Sequence, residues 1–330
     1  MHFTFSFAVA AASLVPSAFA SIYSLSDNHV GKDFLTSFTH ETIADPTHGR
    51  VNYVSQATAL SKNLTFTNSN TLILRGDYKT KISASGPGRD SVRIKSVKSY
   101  DHHVTVFDVK HMPEGCGTWP AAWETTENGW PDSGEVDIEQ CICCLLPGTN
   151  WPDSVNGKGP NQSTLHTNAN CNMPASRTQN GVATSNVCDV VASNNVGCSV
   201  QSTAPNSFGT SFNANGGGYY AMERMNKLVN VWFWPRNGAV PNDLKSGAKT
   251  VDTGKWGTPN AYFPDTSCDL DAHFGSNNII IDLTFCGDWA GLPAIFNGAG
   301  CPGDCATYVN DNPGAFSNAY WWINAVRVYT

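Results

Sequence analysis

An all-β sandwich of antiparallel sheets is the fold class that this sequence predicts. Short runs rich in β-branched and aromatic residues recur between Gly, Pro and Asn, sustained helical periodicity is scarce, and the length suits one large β domain.

In chain order, the N-terminus comes first. An apolar run through Phe7-Ala8-Val9-Ala10-Ala11-Ala12 is followed by small residues at Ala18-Phe19-Ala20. This predicts a secretory leader over residues 1–20, cut after Ala20, and a secreted, extracellular mature protein starting at Ser21. The run is too short for a membrane anchor, and no later run of 18 apolar residues follows. The strand signals then fall at residues 71–75, 91–96, 104–109, 229–234, 279–284 and 326–329. No Pro/Ser-rich linker, internal repeat or low-complexity tail divides them, so residues 21–330 read as a single domain. In a secreted chain the sequons at Asn63 and Asn161 are glycosylation candidates.

Charged residues make up 14% of the chain, and the net charge is −7 with no basic cluster. That balance argues against nucleic acid and anionic membranes as partners and suits a neutral polymer. The expectation is a monomer without a cofactor or metal. Eleven Cys are present. Eight of them, Cys116, Cys171, Cys188, Cys198, Cys268, Cys286, Cys301 and Cys305, are spread through Gly/Asn/Pro-rich segments and can form four disulfides. Their connectivity is not readable, although Cys301 and Cys305 are close enough to share a loop. Cys141, Cys143 and Cys144 are surplus, and nearby His residues lack metal-ligand spacing.

The most informative segment is Glu135-Val136-Asp137-Ile138-Glu139. In a regular strand, residues i, i+2 and i+4 share a face, so three acids would lie on one side and Val136 and Ile138 on the other. The α-carbons of Glu135 and Glu139 would be about 13 Å apart. On a curved sheet their side chains could approach the roughly 5 Å that a retaining glycosidase needs between its carboxyl groups. Asp137 between them would carry or share a proton. A solvated edge strand is the bland alternative. Trp119, Trp123 and Trp130 precede the acids closely, and indoles beside polar groups suit sugar rings. Trp119 fits core and cleft equally; Trp123 and Trp130 fit a cleft better.

The run Trp119-Pro120-Ala121-Ala122-Trp123-Glu124 with Gly134-Glu135-Val136-Asp137-Ile138 resembles glycoside hydrolase family 16, and within it the secreted basidiomycete laminarinases, endo-1,3(4)-β-glucanases. Further segments at 45–53, 85–89, 211–218, 285–291 and 296–301 extend the likeness over nearly the whole mature chain. The resemblance implies a curved β-jelly-roll sandwich of the concanavalin A-like kind with an open substrate cleft. It implies endo-hydrolysis of β-1,3-glucan with retention. It assigns the nucleophile to Glu135 and an auxiliary acid to Asp137. It places Arg93, Trp123, Trp130, His166 and Trp289 at sugar-binding positions, with a surface ion pair for Arg93 and a satisfied strand histidine for His166 as the alternatives.

The resemblance breaks at the general acid/base. The laminarinase subgroup reads Glu-x-Asp-x-x-Glu, a β-bulge admitting the extra residue. Here Ile138 is followed directly by Glu139-Gln140, and the likeness resumes only near Val155-Asn156. Two readings stay open. Glu139 is the acid/base on an unbulged strand, as in other branches of the family, or residues 139–154 are an insert foreign to the secreted enzyme. A glucan transglycosylase on the same fold, or a glucan-binding lectin that has lost its acid/base, are the alternative functions. The sequence carries no Gly-x-Ser-x-Gly elbow, His-Glu-x-x-His motif or phosphate loop.

Overall fold

The computed structural model describes residues 21–126, 128–140 and 155–330. The predicted leader at 1–20 and residues 141–154 of the predicted insert lie outside the described residues. Each of the six sequence-predicted strands is present, generally with longer bounds: Leu72–Arg75, Arg93–Tyr100, His103–His111, Leu228–Pro235, Asn277–Phe285 and Tyr320–Tyr329. Helices are short; the longest described is Cys305–Asp311. No described helix is long and apolar enough to cross a membrane.

Two large antiparallel sheets form the predicted sandwich. The eight-stranded sheet runs, in spatial order, Val182–Ser185, Cys198–Gln201, Gln162–His166, Glu135–Gln140, Thr118–Thr125, Asn277–Phe285, Arg93–Tyr100 and Phe38–His40. The nine-stranded sheet is centred on Tyr320–Tyr329, His103–His111 and Gly218–Met225. Between the sheets lies the main core, in which Ala122, Val136, Ile138, Ile279 and Ile281 meet Phe107, Val109, Tyr220, Met222 and Val231. Burying each large apolar side chain contributes about 1.5–3 kcal/mol, and the pleat does the sorting. Along one strand Val136 and Ile138 enter this core while Glu135 and Asp137 face the other way.

Four disulfides close on the eight expected cysteines, as Cys116–Cys301, Cys171–Cys268, Cys188–Cys198 and Cys286–Cys305. Cys301 and Cys305 therefore do not join each other. Cys305 closes the 286–305 segment, which carries Trp289, on itself through Cys286, and Cys301 ties that segment to Cys116.

The acid strand contains the decisive irregularity. On one side Asp137 pairs with Trp123 and Glu139 with Ala122. On the other, Asp137 pairs with Thr164 and Gln140 with Gln162. Three steps along this strand thus match two on the neighbour, which is a β-bulge at Ile138 and Glu139. Both bulge residues turn to the core side, where Ala122 also lies. The predicted alternation of three acids on one face is therefore corrected. Glu139 is 1% exposed, and neither carboxyl oxygen has a hydrogen-bond partner.

A second buried glutamate shows the contrast. Glu124 is fully buried too, but Thr105 Oγ1 donates to its Oε1 at 2.8 Å and His103 Nε2 lies 3.0 Å away. Burial would raise its pKa, yet His103 and its hydrogen bonds hold it below the ordinary value. Glu139 has no such partners, so burial, with the negative charge of Asp282, pushes it well above 4.5 and the group stays protonated. An unpaired polar group in a dry core costs about 1–3 kcal/mol. Glu139→Leu is therefore expected to stabilise the fold by about that amount at pH 7, read from urea or thermal unfolding. The sign with pH follows from linkage. The folded state binds this proton more tightly than the unfolded chain does, so the stabilisation is complete below about pH 4.5 and is lost as pH rises through the folded value. Glu139→Leu should flatten that decline. An unchanged slope would show that Glu139 is not in the core.

Candidate active site

A cleft of about 570 Å³ opens on the outer face of the eight-stranded sheet. Its floor comes from alternate residues of neighbouring strands, Ala121, Trp123 and Thr125 from one, Glu135 from the next, His166 beyond, and Asp282 and Thr284 on the other side. This is period-2 geometry at work: the residues between them enter the core. Loops supply Trp130, the Asn194-Asn195 pair, Asp45 and Leu292, and the short helix Gly287–Ala290 supplies Trp289. Trp289 packs edge-on against Trp119, with ring centroids 5.3 Å apart. Trp119, left between core and cleft by sequence, lines the cleft while only 7% exposed.

Glu135 is held from three directions. Trp130 Nε1 donates to its Oε2 at 2.9 Å, and His166 Nε2 lies 3.8 Å from its Oε1. Asp137 shares the strand face two residues on, with its Oδ2 3.4 Å from the same His166 nitrogen. Burial is the largest influence on Glu135, and the charge of Asp137 adds to it. Against these, His166, Trp130 and Arg93 favour the carboxylate, and the outcome is a pKa pushed up to about 7. Asp137 is driven well above the ordinary carboxylate range, by burial first and then by Asp282. Burial pushes the imidazole of His166 down, partly countered by Glu135. Burial thus raises both adjacent acids, and they titrate as one coupled pair.

Beside them stands a second polar group. Arg93 is 2% exposed, its Nε donates to Glu41 Oε2 at 2.8 Å, and its guanidinium sits 5.0 Å from the Trp123 ring centre. Asp282 accepts from Trp123 Nε1 at 3.2 Å and from Tyr53 Oη at 2.9 Å. Burial lifts Asp282 to about 6 despite the opposing charge of Arg93. With both oxygens engaged, Asp282 acts as an acceptor that fixes the Trp123 indole.

The structure thus gathers Glu135, Asp137, Arg93, Trp123, Trp130, His166 and Trp289 around one cleft. Arg93 is a buried ion-pair partner rather than a surface one. His166 is not a satisfied histidine, since neither ring nitrogen has a hydrogen-bond partner. Two expectations are corrected. Glu139 does not line the cleft, because the bulge turns it into the core; strand position 140, a Gln, takes the next register place opposite Gln162. Asn161 is unsuited to carry a glycan in the folded chain, being 3% exposed with its Nδ2 donating to the Ile138 carbonyl at 3.0 Å. Asn63 is exposed. Sequence reasoning missed Asp282, Asp45 and Asn194-Asn195. An acid inside the apolar run Ile279-Ile280-Ile281-Asp282-Leu283 was the available signal for the first.

Comparison with known proteins gives one coherent set of likenesses. The sequence family described as the XgeA-like, catalytic GH16 domain matches residues 38–329. A probable endo-1,3(4)-β-glucanase of Aspergillus niger is 41% identical over 97% of this chain, which spans 42% of that relative's length. Laminarinase 16A from Phanerochaete chrysosporium, solved with β-glucans (6-O-glucosyl-laminaritriose) in both donor and acceptor sites, is 62% identical. It covers 94% of this chain and 100% of its own, with a TM-score of 0.89, so the sandwich shares its jelly-roll form. An elongating β-1,3-glucosyltransferase is more distant, at 37% identity over 93% of this chain and 100% of its own, with a TM-score of 0.83.

Proposed function

The chain belongs to glycoside hydrolase family 16, and from that premise we propose that it is a retaining endo-1,3(4)-β-glucanase acting on β-1,3-glucan of the laminarin type. The observation that carries the reading is Glu135, poised in the cleft between Trp130, Asp137 and His166. Its Oε1 attacks the anomeric carbon of a bound glucosyl unit, the glycosidic bond breaks, and a glycosyl ester forms on Glu135. Trp130 anchors the other oxygen, which fixes the direction of attack. Asp137, on the same strand face, tunes the ionisation of the nucleophile through its charge. Trp123 and Trp289 offer apolar faces to sugar rings, while Arg93 and Asp282 hold Trp123 in place. Water then releases the sugar from the ester with the configuration restored. The identity of 62% to a laminarinase, against 37% to a transferase, favours water over a sugar hydroxyl as acceptor. Secretion after removal of residues 1–20, action as a monomer and a glycan at Asn63 complete the proposal.

Protonation of the departing oxygen is the weak step in this chain. Among the described residues, no second glutamate lines the cleft. The register place that follows the bulge carries Gln140, and an amide holds no transferable proton. Natural glucan should consequently be cleaved slowly, whereas a substrate whose leaving group needs no proton should not suffer. With 4-nitrophenyl β-laminaribioside the first-formed product, followed by NMR, should be the β-anomer. An α-anomer would overturn the retaining assignment, and binding without cleavage would favour the lectin.

The same substrate reports the nucleophile's ionisation. Glu135 must be deprotonated to attack, and its pKa lies at about 7. The expected kcat/KM rises with pH and levels off above about 7, the limb belonging to the Glu135–Asp137 pair as a unit. A flat profile from pH 5 to 8 would contradict this.

A further inference from the structure

We propose that the cleft contains an inhibitory binding site for a tetrahedral divalent cation of the zinc type, made by Glu135 Oε1, Asp137 Oδ2 and His166 Nε2. These three ligand atoms all lie within 4.8 Å of one another. His166 Nε2 is 3.4 Å from Asp137 Oδ2 and 3.8 Å from Glu135 Oε1. Ligands bound at about 2.0–2.1 Å in a tetrahedron stand about 3.4 Å apart, so small side-chain adjustments close the site.

The second observation is that two of the three groups, Asp137 and His166, lack hydrogen-bond partners. Asp137 is 0% exposed and His166 1% exposed, and neither the two carboxyl oxygens nor the two ring nitrogens have a hydrogen-bond partner. A neutral imidazole nitrogen and carboxylate oxygens are each established zinc donors. The ion has a route in, because Glu135 and His166 both line the open cleft. The fourth position faces that cleft and suits water. The other cluster of this kind among the described residues, Cys171, Cys268 and His273, is unsuited to the role because its two sulfurs are bonded to each other. A cation at the three ligands would sit on the oxygen that attacks the sugar and fill the space beside the anomeric carbon. Cation and glucan would therefore exclude one another.

The test is Zn²⁺ titration of the full chain by calorimetry, without any turnover readout. The cysteines near residue 141 can also take zinc, so the quantity of interest is a difference in stoichiometry. One equivalent should disappear, or weaken at least about tenfold, in Asp137→Asn and again in His166→Gln. Laminaritriose should displace the same equivalent from the unsubstituted protein, a check that needs no variant. Unchanged stoichiometry and affinity in both folded variants would overturn the site. So would a zinc stoichiometry and affinity that saturation with laminaritriose leaves unchanged. Loss of zinc in the variants decides the cation site even for a protein that failed to cleave glucan, so the two proposals fail separately.

Discussion

Glu135→Gln is expected to lower the rate of 4-nitrophenyl β-laminaribioside cleavage by at least about 10³-fold while laminari-oligosaccharides still bind. Gln has the shape of Glu, and its amide oxygen can still accept from Trp130 Nε1, so the cleft keeps its form. What disappears is the anion that attacks carbon. Misfolding will not account for the loss. The variant removes a buried carboxyl whose folded pKa, about 7, lies above its ordinary value of 4.5, a group that weighs against the folded state once ionised. At pH 8 the variant should therefore be at least as stable as the parent. A variant that cleaves the aryl substrate normally would remove Glu135 from the mechanism.

Gln140→Glu is expected to act in the opposite direction, raising laminarin hydrolysis by about 10²- to 10⁴-fold, the usual contribution of a positioned general acid. Glu135 lies opposite His166, Asp137 opposite Thr164 and position 140 opposite Gln162. Along the neighbouring strand these partners are two residues apart, so all three places belong to one face. The gain should be confined to substrates with poor leaving groups; the aryl glycoside should barely respond. Glu139→Leu serves as the counterpart. Since Glu139 lies in the core beside Ala122, its loss should leave hydrolysis unchanged. A collapse of laminarin hydrolysis in Glu139→Leu, with no gain in Gln140→Glu, would return the acid/base role to Glu139.

That pair of substitutions marks where the sequence stopped being legible. The strands announced themselves through β-branched and aromatic runs, and the face of Glu135 and Asp137 followed from period-2 alternation with Val136 and Ile138. Resemblance supplied the cleft positions Arg93, His166 and Trp289. The bulge had no local signature. Glu-Val-Asp-Ile-Glu is a well-formed alternating pattern, and what breaks it is the pairing with Ala122, Trp123, Thr164 and Gln162, residues of the two flanking strands that lie outside the segment itself. The same blindness explains Asn161, whose sequon says nothing about burial beneath Ile138. Cysteine pairing was illegible for a related reason. Cys116 meets Cys301 across 185 residues, a contact that only the folded sandwich creates. Asp282 escaped notice because a strand acid becomes informative only once Trp123, Tyr53 and Arg93 are seen around it.

Covalent trapping tests the central claim most directly. The chain would be incubated with 2,4-dinitrophenyl 2-deoxy-2-fluoro-β-laminaribioside and digested, and the peptides weighed by mass spectrometry. The fluorine slows release of the intermediate, and the dinitrophenolate leaves without a proton, so the missing acid does not matter. The account predicts one laminaribiosyl adduct, on the carboxyl of Glu135. An adduct on another carboxyl, or none in a protein that binds laminaritriose, would contradict it.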